Sequence, residues 1–250
     1  DAIDATIRSL TADHAELQAL GENAEAGGNP VIPFLGLVRT RLSPEASRCL
    51  HRGLTSQDVI DTAIGLLVSR VVRQMQARLE VIGASLVDLS ESHADTLCLA
   101  RTLTQPALPT TFGLKAAAWA AEVIEVQTLA PFVDYVQVGG AAGTRAAIRW
   151  FAGASTESLL REFHMQMVGP DAALKRVSVP WHTDRVRILS WGSHLAQCVT
   201  VGASIARDVL VGARPEIGEM SLASTGGSSA MPHKSNPTSA VLLHRNGMRV

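Results

Sequence analysis

Ile60–Leu89 reads IDTAIGLLVSRVVRQMQARLEVIGASLVDL, and its spacing decides the fold class. Ile60, Ile64, Leu67, Val71, Met75, Leu79, Ile82, Leu86 and Leu89 follow one another in steps of three and four. Such steps line one side of an α-helix, here sustained far beyond an average helix. Arg70, Arg73, Gln74 and Arg78 lie largely between the stripe positions. A second helix is expected from about Gly113 to Leu129, before Pro131, with alanines at 116–118, 120 and 121 that allow close helix contact. A third is expected over Ala146–Met165. A fourth follows Pro180-Trp181, with Thr183-Asp184 placed to cap it, and runs to about Val211 with Gly212 as its stop. A last helix begins after Pro237. No stretch alternates persistently, and Val136-Gln137-Val138 is short and runs into Gly139-Gly140. Long helices joined by Gly/Pro loops predict an all-α long-helix bundle. Residues 1–50, with Gly27-Gly28-Asn29-Pro30 and Pro33, read as a smaller helical lobe before a central bundle over 51–250. The stripe is longer than one subunit can cover, which predicts an oligomer.

The chain has 250 residues, 46% of them apolar, enough for a large core. A net charge of −1 gives no electrostatic case for nucleic acid or a membrane surface as partner. Cys49, Cys98 and Cys198 are odd in number and lack metal-type spacing, so they read as small buried residues of a reducing compartment. No apolar run approaches the roughly 20 residues needed to cross a bilayer. The start, Asp1-Ala2-Ile3-Asp4-Ala5, has no basic region of the signal-peptide kind. A cytoplasmic location is the expectation. No Met stands at position 1 and the sequence stops inside an apolar, helix-like stretch, so it is read as part of a longer chain.

Three polar segments punctuate the helices. His51-Arg52-Gly53-Leu54-Thr55-Ser56-Gln57-Asp58, followed by Asp61-Thr62-Ala63, leads hydroxyl and amide groups into the longest helix. A helix start with such donors suits an anion, although Thr55 or Ser56 could equally be no more than its cap. Arg101–Lys115 reads RTLTQPALPTTFGLK, with Thr102 and Gln105 as its polar groups. The third segment is Gly227-Ser228-Ser229-Ala230-Met231-Pro232-His233-Lys234-Ser235-Asn236-Pro237. Glycines let a backbone approach a ligand closely, and prolines stiffen the loop. Ser228 can give or take a proton, while Lys234 and Asn236 can hold a carboxylate. His233 and His244 are too isolated to suggest a metal, and no ligand cluster or cofactor motif is present.

The third segment closely resembles the GSSxMPxKxNP signature of the fumarase/aspartase superfamily, whose members make or break a bond beta to a carboxylate. Thr55–Ala63 resembles its TSQDVxDTA region, and Arg101–Gly113 its Arg-Thr-His…PTTFG region. Leu103 departs from the latter, standing where many of these lyases carry an acid–base histidine. The glutamate that pairs with that histidine, five residues after the signature asparagine, is replaced by Val241. Joint loss is physically consistent, because a buried carboxylate without its partner is costly. The pattern resembles the 3-carboxy-cis,cis-muconate cycloisomerases within the superfamily. Asn29–Pro33, Gln137–Thr144 and the Pro180-Trp181-His182-Thr183-x-Arg185 stretch are similar to their motifs. Trp181 and His182 could equally serve packing at a helix start. Ser235 stands where arginine is common.

This resemblance implies an all-α fold in a homotetramer, with three subunits each lending one segment to a site. It also implies that the 1–50 lobe is incomplete and that the bundle continues into a C-terminal domain. The expected partner is a small di- or tricarboxylate, with no cofactor and no metal. The implied reaction is lactonisation, in which one substrate carboxylate attacks a double bond and leaves an aci-carboxylate anion. Ser228 would move the proton, and Lys234, Asn236 and backbone N–H groups of Gly227–Ser229 would hold the anion. His51, Thr55, Ser56, Gln57, Thr102, Gln105, Ser229 and Met231 would contact the substrate. The alternatives are an adenylosuccinate- or argininosuccinate-type lyase releasing fumarate, and a non-catalytic structural relative. Retention of Ser228, Lys234 and Asn236 speaks against the last.

Overall fold

The computed structural model describes residues 11, 13–131, 133, 135–168, 179–223, 226–227, 230–231 and 234–250. Nine α-helices and one hairpin occur among them: α1 (His14–Gly27), α2 (Val31–Thr40), α3 (Pro44–Cys49), α4 (Ser56–Ser92), β1 (Leu97–Thr102), β2 (Gln105–Thr111), α5 (Phe112–Thr128), α6 (Ala146–Ala152), α7 (Thr156–Val168), α8 (Val186–Gly212) and α9 (Thr238–Gly247). The helices expected near 113, 186 and 238 are present. The one expected over 146–165 is broken by a 3₁₀ turn at Gly153–Ser155, where Gly153 takes a positive φ of 51°.

Local chemistry sets the ends. Asp13 and Glu16 form a reciprocal capping box at the start of α1, and Gly28 closes its end at φ 75°. Ser43 caps α3 ahead of Pro44, and Thr111 caps α5 by accepting from the Leu114 amide. At α4 the Asp58 carboxylate reaches back to the Thr55 N–H at 2.9 Å, half of the same box.

The hairpin was not legible in the sequence. Leu97 pairs with Thr111 and Thr102 with Gln105 in antiparallel register, with an irregularity between Leu99 and Arg101. Pro106 and Pro109 hide β2 from any strand pattern, and a two-stranded ribbon has edges that tolerate them. The turn residues Leu103 and Thr104 both take positive φ, 49° and 68°, as a primed two-residue turn requires. Neither is the glycine or asparagine that usually signals it.

The chain divides into two units, Asp1–Ser69 with Phe132–Arg185, and Arg70–Pro131 with Val186–Val250. In the first, Val136, Val138 and Ile148 are buried with Leu54, Leu160 and Phe163 against them. Arg41 is ion-paired with Glu16, tying α2 to α1. In the second, Leu79, Val123, Val126 and Cys198 form the core, flanked by Met75, Leu86, Val201 and Ile205. Trp119 is buried there and donates its indole N–H to Asp208 at 3.0 Å. α9 packs along α8, with Leu243 against Gly202.

Along the first half of α4 the buried side and the apolar stripe differ, and they meet at Leu79, with Met75 and Leu86 beside it. Asp58, Asp61, Thr62, Ser69, Val72 and Leu79 are buried, whereas Ile64, Leu67, Val71 and Ile82 of the stripe are exposed. α8 corrects a second expectation. An 18-residue window within it reaches a mean hydropathy of 1.3, so by length and composition it could cross a membrane. Its residues Trp191, His194, Cys198, Ala203 and Ala206 are buried, and α9 packs along it.

Candidate active site

In the first unit, three of the motif stretches meet around one carboxylate. Asp58 is 1% exposed and accepts from the backbone N–H of Gly139 at 2.7 Å, of Gly140 at 2.9 Å and of Thr55 at 2.9 Å. His182 Nε2 lies 3.5 Å from the same carboxylate. The glycine-rich turn is required for this approach. A Cβ on Gly139 would meet the His182 ring at 2.5 Å, and Gly140 has a positive φ of 71°. Asp61 is fully buried and held in a bidentate pair by Arg185 at 3.0 and 2.8 Å. Arg185 also donates to the carbonyls of Trp181 and His182. The Thr62 hydroxyl accepts from Gln137 N–H, and the Gln137 side chain accepts from Trp181 N–H at 3.1 Å.

Sequence reasoning passed over Asp58 and Asp61 as structural pins. The available signal was two acidic residues, Asp58 and Asp61, in the first turns of α4, ahead of the apolar run Ile64–Val68. Burial of such groups is tolerated only with partners this complete. The substrate-contact candidates of this segment sit on that frame. His51 is half-buried in the left-handed region at φ 62°. Thr55 and Ser56 are half-buried at the start of α4, and the Gln57 amide donates to Asp61 at 2.7 Å.

The other candidates lie in the second unit. Thr102 and Gln105 are paired, exposed residues flanking the hairpin turn, with Leu103 between them 96% exposed. Arg101 and Lys115 both bond Glu219, at 2.6 and 3.2 Å, so the hairpin and α5 are tied to the segment that follows α8. Burial pushes the Glu219 carboxyl up, but those two cations outweigh it and hold it below the ordinary 4.5. The signature loop is closed at its base by paired backbone bonds between Gly226 and Asn236, 2.8 and 2.9 Å. The Asn236 side chain adds a bond to the Gly227 carbonyl at 3.1 Å, so part of its amide shapes the loop. Lys234 is exposed within that loop, its N–H donating to Met231 O at 3.0 Å, and Met231 is 43% exposed. Ser228 and Ser229 lie outside the described residues.

Among the described residues, two histidines have depressed pKa values. Burial pushes the His51 imidazole below the ordinary 6.5, aided by Arg39 and opposed by Asp58. Burial alone does so for His194 in α8. A lowered folded pKa means that unfolding takes up protons as pH falls below 6.5, so stability is lost on that side. The thermal midpoint is therefore expected to fall between about pH 6.5 and 5. His194→Leu should flatten that slope in a calorimetric pH series; an unchanged slope would contradict the assignment. Glu219 keeps its contribution through this window, because its lowered pKa moves its loss below 4.5.

The family model for lyases matches residues 1–250. A nitrosuccinate lyase of Streptomyces davaonensis is 36% identical over 98% of this chain and 54% of its own length. A 3-carboxy-cis,cis-muconate cycloisomerase of Bradyrhizobium diazoefficiens is 36% identical over 90% of this chain and 50% of its own. The chain belongs to the fumarase/aspartase lyase superfamily. Among solved structures, the chain resembles the 3-carboxy-cis,cis-muconate lactonizing enzyme of Pseudomonas putida, with a TM-score of 0.78 and 28% identity, over 95% of this chain and 52% of that one. It also resembles a fumarate lyase of Mesorhizobium, with a TM-score of 0.76 and 25% identity over 99% and 53%. The chain spans about half the length of the curated relatives it matches.

Proposed function

We propose that the whole protein converts 3-carboxy-cis,cis-muconate, or a close 3-substituted analogue, to its muconolactone. The observation that carries this is Leu103, an apolar residue at the tip of the hairpin between Thr102 and Gln105, with Val241 as the matching apolar replacement. An addition that needs no His–Glu relay fits that pair. One carboxylate of the substrate adds to a double bond, and the electrons collect as an aci-carboxylate. The positive poles assigned to it are Lys234, Asn236 and backbone N–H groups of Gly227–Ser229. Ser228 delivers the proton to carbon.

A second reading is favoured by the nitrosuccinate lyase relative, which matches nearly the whole chain. Loss of nitrite from nitrosuccinate passes through the same kind of anion, run in the direction of elimination. Two ultraviolet assays of the full-length protein separate them. Lactonisation destroys the conjugated diene of the muconate, whereas elimination makes fumarate and releases nitrite. Turnover of nitrosuccinate alone would overturn the lactonising reading.

The exposed apolar residues of α4 support a homotetramer, with active sites shared between subunits. Mixing Ser228→Ala with an impaired His51→Ala variant is then expected to restore activity, because hybrid tetramers contain sites with no altered segment. Verified subunit exchange without any gain would sink the shared site, and a monomer by light scattering would sink the tetramer.

A further inference from the structure

The first unit contains a cavity of about 480 Å³ that the proposed reaction does not use. Leu54, Val138, Ile148, Phe151, Leu160 and Phe163 line it, and Arg52 is its one charged lining residue. The volume is that of a small-molecule site. The lining cannot solvate two or three carboxylates, so the substrate proposed above does not suit it. Arg52 is exposed and its guanidinium lies 4.3 Å from the centre of the Phe151 ring, a stacked arrangement that orients the cation beside the apolar wall. Among the described residues Arg52 has no carboxylate partner. Phe151 and Leu159, also on the lining, remain 45% and 51% exposed, so the wall is open to a ligand.

We infer that this cavity binds a monocarboxylate with an apolar body, the body between Phe151 and Phe163 and the carboxylate on Arg52. One charge and one large apolar surface are what the site offers, and the ligand mirrors both. Arg52 follows His51 directly, so occupancy bears on the segment that carries a substrate-contact candidate.

Isothermal titration of the full-length protein with 2-naphthoate and octanoate tests this, with 2-naphthylmethanol and octanol as uncharged controls. Both carboxylates are expected to bind once per chain, the alcohols at least about tenfold more weakly. Arg52→Gln should weaken the carboxylates about tenfold and leave the alcohols unchanged. Leu159→Trp, at a half-exposed lining position, should weaken all four by narrowing the cavity without opening the core. Absence of binding to the unaltered protein overturns the proposal, as it would if another segment or subunit fills the cavity. Equal affinity for acids and alcohols, or binding indifferent to both substitutions, overturns it as well.

Discussion

Ser228→Ala is expected to lower kcat at least about a hundredfold, the usual contribution of a positioned acid–base group. That is about 2.7 kcal/mol of barrier. The expectation rests on subtraction. Leu103 and Val241 stand where the resemblance puts a relay histidine and glutamate, and the proposed reaction gives the proton to the signature serine instead. Its loop is closed by the Gly226–Asn236 pair and by the Asn236 side chain, neither of which needs the Ser228 hydroxyl. The substitution should therefore leave the thermal midpoint and the oligomeric state unchanged while turnover collapses. Near-normal kcat with full-length protein would remove Ser228 from the role.

Asp58→Ala is expected to produce the largest loss of stability. Its carboxylate holds three backbone N–H groups at 2.7 to 2.9 Å while 1% exposed. Removal leaves those donors buried without a partner, and each such group costs about 1–3 kcal/mol. A loss on the order of 3 kcal/mol or more follows from those costs, with Asp58→Asn between the two because it keeps one acceptor oxygen. Chemical denaturation measures it. A change below about 1 kcal/mol for Asp58→Ala would show that the glycine turn does not depend on this carboxylate.

Local periodicity and local punctuation were enough to read the three longest helices. The 60–89 stripe, the alanine-rich run before Pro131 and the apolar run ending at Gly212 each announce a helix from neighbours three and four residues apart. The signature loop and the TSQD stretch were readable as motifs, which is how the family was legible. Three things were not readable. The β1–β2 hairpin depends on pairing across a Leu103-Thr104 turn that lacks the usual residues, and two prolines mask one strand. The roles of Asp58 and Asp61 depend on Gly139, Gly140 and Arg185, 81 to 124 residues away. The apolar stripe of α4 could not reveal that the polar face with Asp58, Asp61 and Thr62 is buried in the first half of the helix, while Leu79 of the stripe is buried in the second. A periodic pattern states that a face is apolar, and a motif states which groups a segment carries. Which face meets the core, and which carboxylate meets which amide, is decided only when segments distant in the chain are brought into contact, because burial and hydrogen bonding are properties of that contact.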